Sequence, residues 1–201
     1  MTRVIAEGLA DALAYFESFP MRAKSAASLA INQTAQRGGL KLARTAMRER
    51  ITFPGGYLED RKRLGVTQFA KPDNLEGIIT GRGRPTSLAR FALPGSKNNP
   101  AVRVGAGRTR RIDGAFLVRL PAGRGADAEL SNVGLAVRLK AGERVRNKKQ
   151  MVPFRAGLYL LYGPSIDQIF RSVLPEIEPE ILDELAEEFR RQFARLGNGV
   201  R

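Results

Sequence analysis

The sequence predicts an α+β protein with long N-terminal helices, an antiparallel sheet and a C-terminal amphipathic helix, and three observations predict it. Residues 4–51 set apolar side chains at helical spacing, interrupted at Pro20. Between 64 and 162, short apolar and β-branched runs are separated by Gly- and Arg-rich connections. Beyond Pro179, Leu182, Leu185, Phe189, Phe193 and Leu196 recur at spacings of 3, 4, 4 and 3, which makes one narrow apolar stripe. A chain of 201 residues is expected to fold as one domain in three consecutive parts: helical 1–56, β-rich and basic 57–162, and helical 163–201.

The first helix is expected over 4–18, where Ile5, Leu9, Ala12, Leu13 and Phe16 share a face. Pro20 ends it and can open the next one in its first turn. From Met21 to Ile51, residues Ala27, Ile31, Ala35, Gly39, Ala43, Met47 and Ile51 form a ridge of four-residue steps. An α-helix turns such a ridge by about 40° per step, so the ridge must wrap or the helix must bend. Gly38-Gly39 is the place to bend, and Pro54-Gly55-Gly56 stops the segment.

Strands follow. Leu64, Val66 and Phe69 face Leu75, Ile78 and Ile79 across a turn at Lys71-Pro72-Asp73-Asn74. Further strands are expected at 101–106, 114–120, 133–139 and just before Tyr162-Gly163-Pro164-Ser165, which reads as a chain reversal. A helix start fits Ser165 and Asp167, and the last helix is expected from Pro179. Glu176, Glu178, Glu180, Asp183, Glu184, Glu187 and Glu188 load its front half and Arg190, Arg191 and Arg195 its rear half, as the helix dipole favours.

Composition narrows the chemistry. The chain has no Cys and no His, so thiol nucleophiles, disulfides, imidazole bases and most transition-metal ligand sets are excluded. No Gly-Lys-Ser/Thr step occurs, and Gly105-Ala106-Gly107 lacks the rest of a dinucleotide fingerprint. The carboxylates at 176–188 are spread along a helix rather than converging on a point, unlike a two-metal site. No enzymatic activity, catalytic residue, metal or cofactor is expected. No apolar run approaches the ~20 residues of a membrane span, and Glu7 and Asp11 interrupt the start where a signal peptide is apolar, so folding in the cytosol is expected.

Net charge is +14 and unevenly placed. Residues 1–150 hold 28 Lys/Arg against 12 Asp/Glu, whereas 151–201 hold 6 against 8. That imbalance points to a polyanion or an acidic protein surface as partner. Two dense cationic loops are the candidate contacts: Arg108, Arg110 and Arg111 in one, Arg144, Arg146, Lys148 and Lys149 in the other, with 141–150 expected to be mobile or ordered by a partner. Guanidinium forks suit phosphate and carboxylate equally. Neither loop interleaves aromatics for base stacking, so any nucleic-acid contact is expected to be nonspecific. Arg82-Gly83-Arg84-Pro85 copies the core of a minor-groove hook, but it lies between apolar residues at 78–79 and 88–93, so Arg82 and Arg84 are expected on a structured basic turn.

Four segments carry a resemblance. The run Arg110-Arg111-Ile112-Asp113-Gly114-Ala115-Phe116-Leu117-Val118, with Gly123 after it, is one. Ala30-Ile31-Asn32, Arg84-Pro85-Thr86-Ser87-Leu88-Ala89-Arg90-Phe91 and Leu161-Tyr162-Gly163-Pro164-Ser165 are the others. In order and overall length they resemble the minor tail protein Z family of lambda-like phages and prophages. The resemblance implies a non-enzymatic virion protein at the head-proximal end of a long tail, assembled in the host cytoplasm. Its implied partners are further copies in a ring, the tail terminator, tail tube and head–tail connector proteins, with nonspecific contact to the genomic DNA and no membrane. Gly114, Ala115, Phe116, Tyr162, Gly163 and Pro164 are the family-motif positions, and structural roles are expected for them. The alternatives are a nonspecific basic protein that organises DNA, and the tail terminator itself.

Overall fold

The structure is a computed structural model that describes residues 21–95, 97–120, 133–139, 150–155 and 157–197. The helix expected over 4–18 and most of the 121–132 and 141–150 connections lie outside the described residues. The chain packs as two compact units that interleave along the sequence.

The first unit takes residues up to Met47, then Leu58–Gly83 and the chain from Ile166. Long N-terminal helices are not what it holds. One helical stretch runs from Met21 to Arg50, divided into α1 (Met21–Thr34), a π turn (Ala35–Gly39) and α2 (Leu40–Arg50). Among the described residues the other α-helix is C-terminal, α3 (Ile166–Gly197). The division has a local cause. Gly38 and Gly39 hold a helix poorly, and a side chain at either would meet a close neighbour, Glu184 of α3 at Gly38 and Ile79 at Gly39. The Leu40 N–H consequently reaches back five residues to the Ala35 carbonyl. A wider turn rotates less over four residues than an α turn does, so it cancels drift in the four-residue ridge. Ala27, Gly39, Ala43 and Met47 are all buried as a result.

Ala23, Ala26, Ala27 and Ala30 face inward along α1, and their small side chains let α3 pack closely. The two helices are antiparallel: Arg22 donates to the Phe193 carbonyl at 3.1 Å, while Gly39 lies near Ile181. The expected pair of C-terminal helices is a single 32-residue helix that runs through Pro175 and Pro179. Each interior proline removes one backbone bond, at a cost of about 3 kcal/mol. Both are exposed, whereas Ile166, Phe170, Val173 and Ile177 form the inward row. The carbonyls left without partners, those of Arg171 and Pro175, therefore lie on the solvent side, where water can serve them. A two-stranded hairpin completes this unit, with β1 (Leu64–Gln68) and β2 (Ile78–Gly81) antiparallel and the expected turn closed by paired bonds between Lys71 and Asn74.

The second unit takes Arg48–Tyr57 and Arg84–Ser165. One sheet across 64–162 is not observed. Besides the hairpin of the first unit, there is a five-stranded antiparallel sheet and a separate two-stranded ribbon. The sheet is built from β3 (Pro85–Ser87), β6 (Ala115–Arg119), β7 (Val133–Arg138), β8 (Met151–Arg155) and β9 (Leu158–Ser165), and the ribbon from β4 (Ala101–Arg103) and β5 (Thr109–Arg111). β9 is central. It pairs with β7 and with β8 along its first half and with β3 along its second. Pro153 sits in β8 beside a register irregularity, a place where a missing N–H does little harm. The outer edge of β6 is covered by residues 97–99, with the Leu117 N–H donating to the Lys97 carbonyl. Leu135, Ala136, Leu160 and Leu161 form the buried centre, and Phe53 packs on Tyr57 and Phe91 beside it.

Tyr162-Gly163-Pro164-Ser165 is not a reversal. β9 continues through it, because Tyr162 pairs with Ser87 and Ser165 with Pro85. Gly163 is buried with Leu88 and Phe91 against it, and Pro164 falls at the irregular part of the ladder, so neither residue interrupts the strand.

Candidate functional site

The β4–β5 ribbon carries the described part of the cationic surface. Its pairs are Ala101 with Arg111, Val102 with Arg110 and Arg103 with Thr109. Paired residues share a face and successive residues alternate, so Arg103 and Arg111 lie on one face and Arg110 on the other. All three are exposed, as is Arg108 in the connecting turn. Arg103 Nε donates to Thr109 Oγ1 at 3.2 Å, which orients one guanidinium along the ribbon.

The ribbon has a firm base. Val102 is buried, the Leu93 N–H donates to the Ala101 carbonyl, and the Thr52 N–H donates to the Val104 carbonyl at 2.9 Å. Val102 is also bridged to Ala92, and Gly105 to Ile51. At its far end Gly114 adopts φ +71, a left-handed conformation that a side chain would strain, and its N–H donates to Asn99 Oδ1 at 3.0 Å. That bend turns the chain from β5 into β6, where Ala115 is buried and Phe116 half-buried. A rigid ribbon presenting guanidinium groups on both faces can contact phosphate or carboxylate with little ordering cost.

The other expected contacts are dispersed. Arg144, Arg146, Lys148 and Lys149 lie outside the described residues. In the first unit, Arg82 is half-buried, and its backbone bonds to the Arg63 carbonyl and to the Asp167 N–H. In the second, Arg84 is exposed just before β3. Those two backbone bonds hold Arg82 in place at the end of β2. Tyr162, Gly163 and Pro164 are strand residues, as described above. Sequence reasoning misses Arg103. The pattern Ala101-Val102-Arg103, with only its middle residue turned inward, is the signal that finds it.

One pocket of about 290 Å³ opens in the first unit at the π turn, lined by Arg37, Gly38, Lys41, Leu42, Glu180 and Glu184. Its two cations and two carboxylates balance, which gives no preference for a charged ligand. Among the described residues no three acidic groups gather as a metal site, and no described helix is long and apolar enough to cross a membrane. Comparison of the chain with protein-family models, with curated proteins and with solved structures finds no match in any of the three.

Proposed function

We propose that this chain is a structural virion protein of a long-tailed phage, placed at the head-proximal end of the tail. It assembles there as a ring with the terminator, tube and connector proteins, around the path of the DNA. The observation that carries the reading is the exposed, firmly based arginine ribbon of Arg103, Arg108, Arg110 and Arg111. It belongs to a chain whose four sequence segments resemble the minor tail protein Z family. A cationic ribbon on a rigid sheet unit suits a fixed neighbour bearing carboxylate or phosphate, and a closed head-to-tail interface yields a ring.

The test is a density map of the neck of intact particles carrying this chain, together with a virion in which Arg108, Arg110, Arg111, Lys148 and Lys149 are neutralised. The chain is expected as a ring around the axis, and the neutralised form is expected to join heads to tails poorly. Particles that lack the polypeptide, or that join normally with the neutralised form, overturn the proposal. Salt-dependent DNA binding by the isolated chain, with no co-assembly with tail proteins, favours the DNA-organising alternative.

A further inference from the structure

The rear half of α3 is inverted. Glu188 and Gln192, only 7% and 8% exposed, take the inward positions, while Leu182 is 50% and Phe193 42% exposed. The inward polar pair is stabilised locally, since Arg191 and the Gln192 amide both donate to the Glu188 carboxylate. At about 100° per residue, the outward row Leu182, Ala186 and Phe193 lies on one face of α3. The neighbouring helix extends it. Arg22 of α1 stands over the Phe193 ring at 4.9 Å, and Leu29, two turns further on the same flank, is exposed. Apolar side chains turned out while a carboxylate and an amide are turned in mark a face made for another protein surface.

The charge pattern beside that face selects the occupant. Asp183 and Glu187 flank Ala186 on one side, and Arg190 follows on that side one turn later, all exposed. A parallel partner helix sets this flank against the opposite, uncharged flank of its copy, whereas an antiparallel one sets the flank against itself, with acids beside Arg190. We infer that two copies of this chain dock α3 against α3, antiparallel, through Leu182, Ala186 and Phe193. Leu182 of each copy then lies beside Phe193 of the other. The small Ala186 sits near the two-fold axis, and Arg190 of each copy faces Asp183 and Glu187 of the other. The interface is isologous and self-complementary. It rests on the first unit alone and not on the neck reading, so either can fail without the other.

The chain lacks Cys, so one introduced thiol reports one position. Full-length Ala186→Cys is expected to form a disulfide-linked dimer under mild oxidation, whereas Glu180→Cys, about 120° round the helix, stays monomeric. Sedimentation equilibrium of the unsubstituted chain is expected to show a monomer–dimer equilibrium. Arg190→Glu is expected to weaken it by about tenfold or more. Adding Asp183→Arg and Glu187→Arg is expected to restore it. A chain that sediments as a monomer at all concentrations, equal cross-linking at 180 and 186, or no rescue by the added charge pair overturns the inference. If the charge variants fail to fold, by far-UV circular dichroism, the cross-linking comparison still decides.

Discussion

The side-chain amide of Asn32 holds both backbone groups of Ala70: its Nδ2 donates to the Ala70 carbonyl at 2.8 Å, and the Ala70 N–H donates to its Oδ1 at 2.7 Å. Ala70 is buried, so neither group has easy recourse to water. This clamp ties α1 to the chain leaving β1, and Asn32 is the last residue of the Ala30-Ile31-Asn32 segment. Asn32→Ala is expected to cost roughly 2–4 kcal/mol, because it strands a buried donor and a buried acceptor together. Asn32→Asp keeps the acceptor and loses the donor, so its loss is expected to be smaller. Urea denaturation of the three proteins checks the order.

Much of this is legible in the sequence alone, and the failures have identifiable causes. The turn at Lys71–Asn74, the strands near 101, 115 and 133, and the bend at Gly114 announce themselves through local chemistry. The inward row of α3 does not, because periodicity finds the stripe Leu182–Leu196 but not the direction in which the neighbouring helix lies. Gly163-Pro164 reads as a break in any single sequence. That β3 supplies a ladder to carry β9 through it is a non-local fact. The cationic site is half legible: Arg108, Arg110 and Arg111 stand out as a cluster, but Arg103 joins them only once the hairpin register is known.

Gly81 and Gly38 both lie under α3, yet they should respond oppositely to a methyl group. A Cβ at Gly81 would stand 2.9 Å from Asp167 Cα and 3.0 Å from its backbone nitrogen, neither of which can step aside. Gly81→Ala is expected to destabilise by about 1–3 kcal/mol through overpacking. At Gly38 the added atom meets the carboxylate of Glu184, the free end of a flexible side chain. Moving that end is easy, and alanine gains about 0.5–1 kcal/mol over glycine in a helix. Gly38→Ala is therefore expected to melt at or above the parent temperature, and Gly81→Ala below it.

Thr86 is wholly buried in β3, and its Oγ1 has no hydrogen-bond partner. The hydroxyl contributes desolvation cost with nothing to offset it. Thr86→Val keeps the shape and removes the polar atom, so a gain of about 1–2 kcal/mol is expected. A rise in the guanidinium midpoint with an unchanged slope checks it, since an altered slope would mean a changed denatured state instead.

The alternation along the ribbon makes the two faces separable in solution. If a polyanion lies along the face of Arg103 and Arg111, replacing both by Ala removes two phosphate contacts and no others. The slope of log K against log salt for a DNA duplex is then expected to flatten by about 1.8, at about 0.9 per contact. Arg110→Ala, on the opposite face beside buried Val102, is expected to leave that slope nearly unchanged. Fluorescence anisotropy at several salt concentrations measures both. Equal flattening by all three substitutions would mean that the partner grips the ribbon from both sides, and no flattening by any would leave carboxylate as the anion that these guanidinium groups meet.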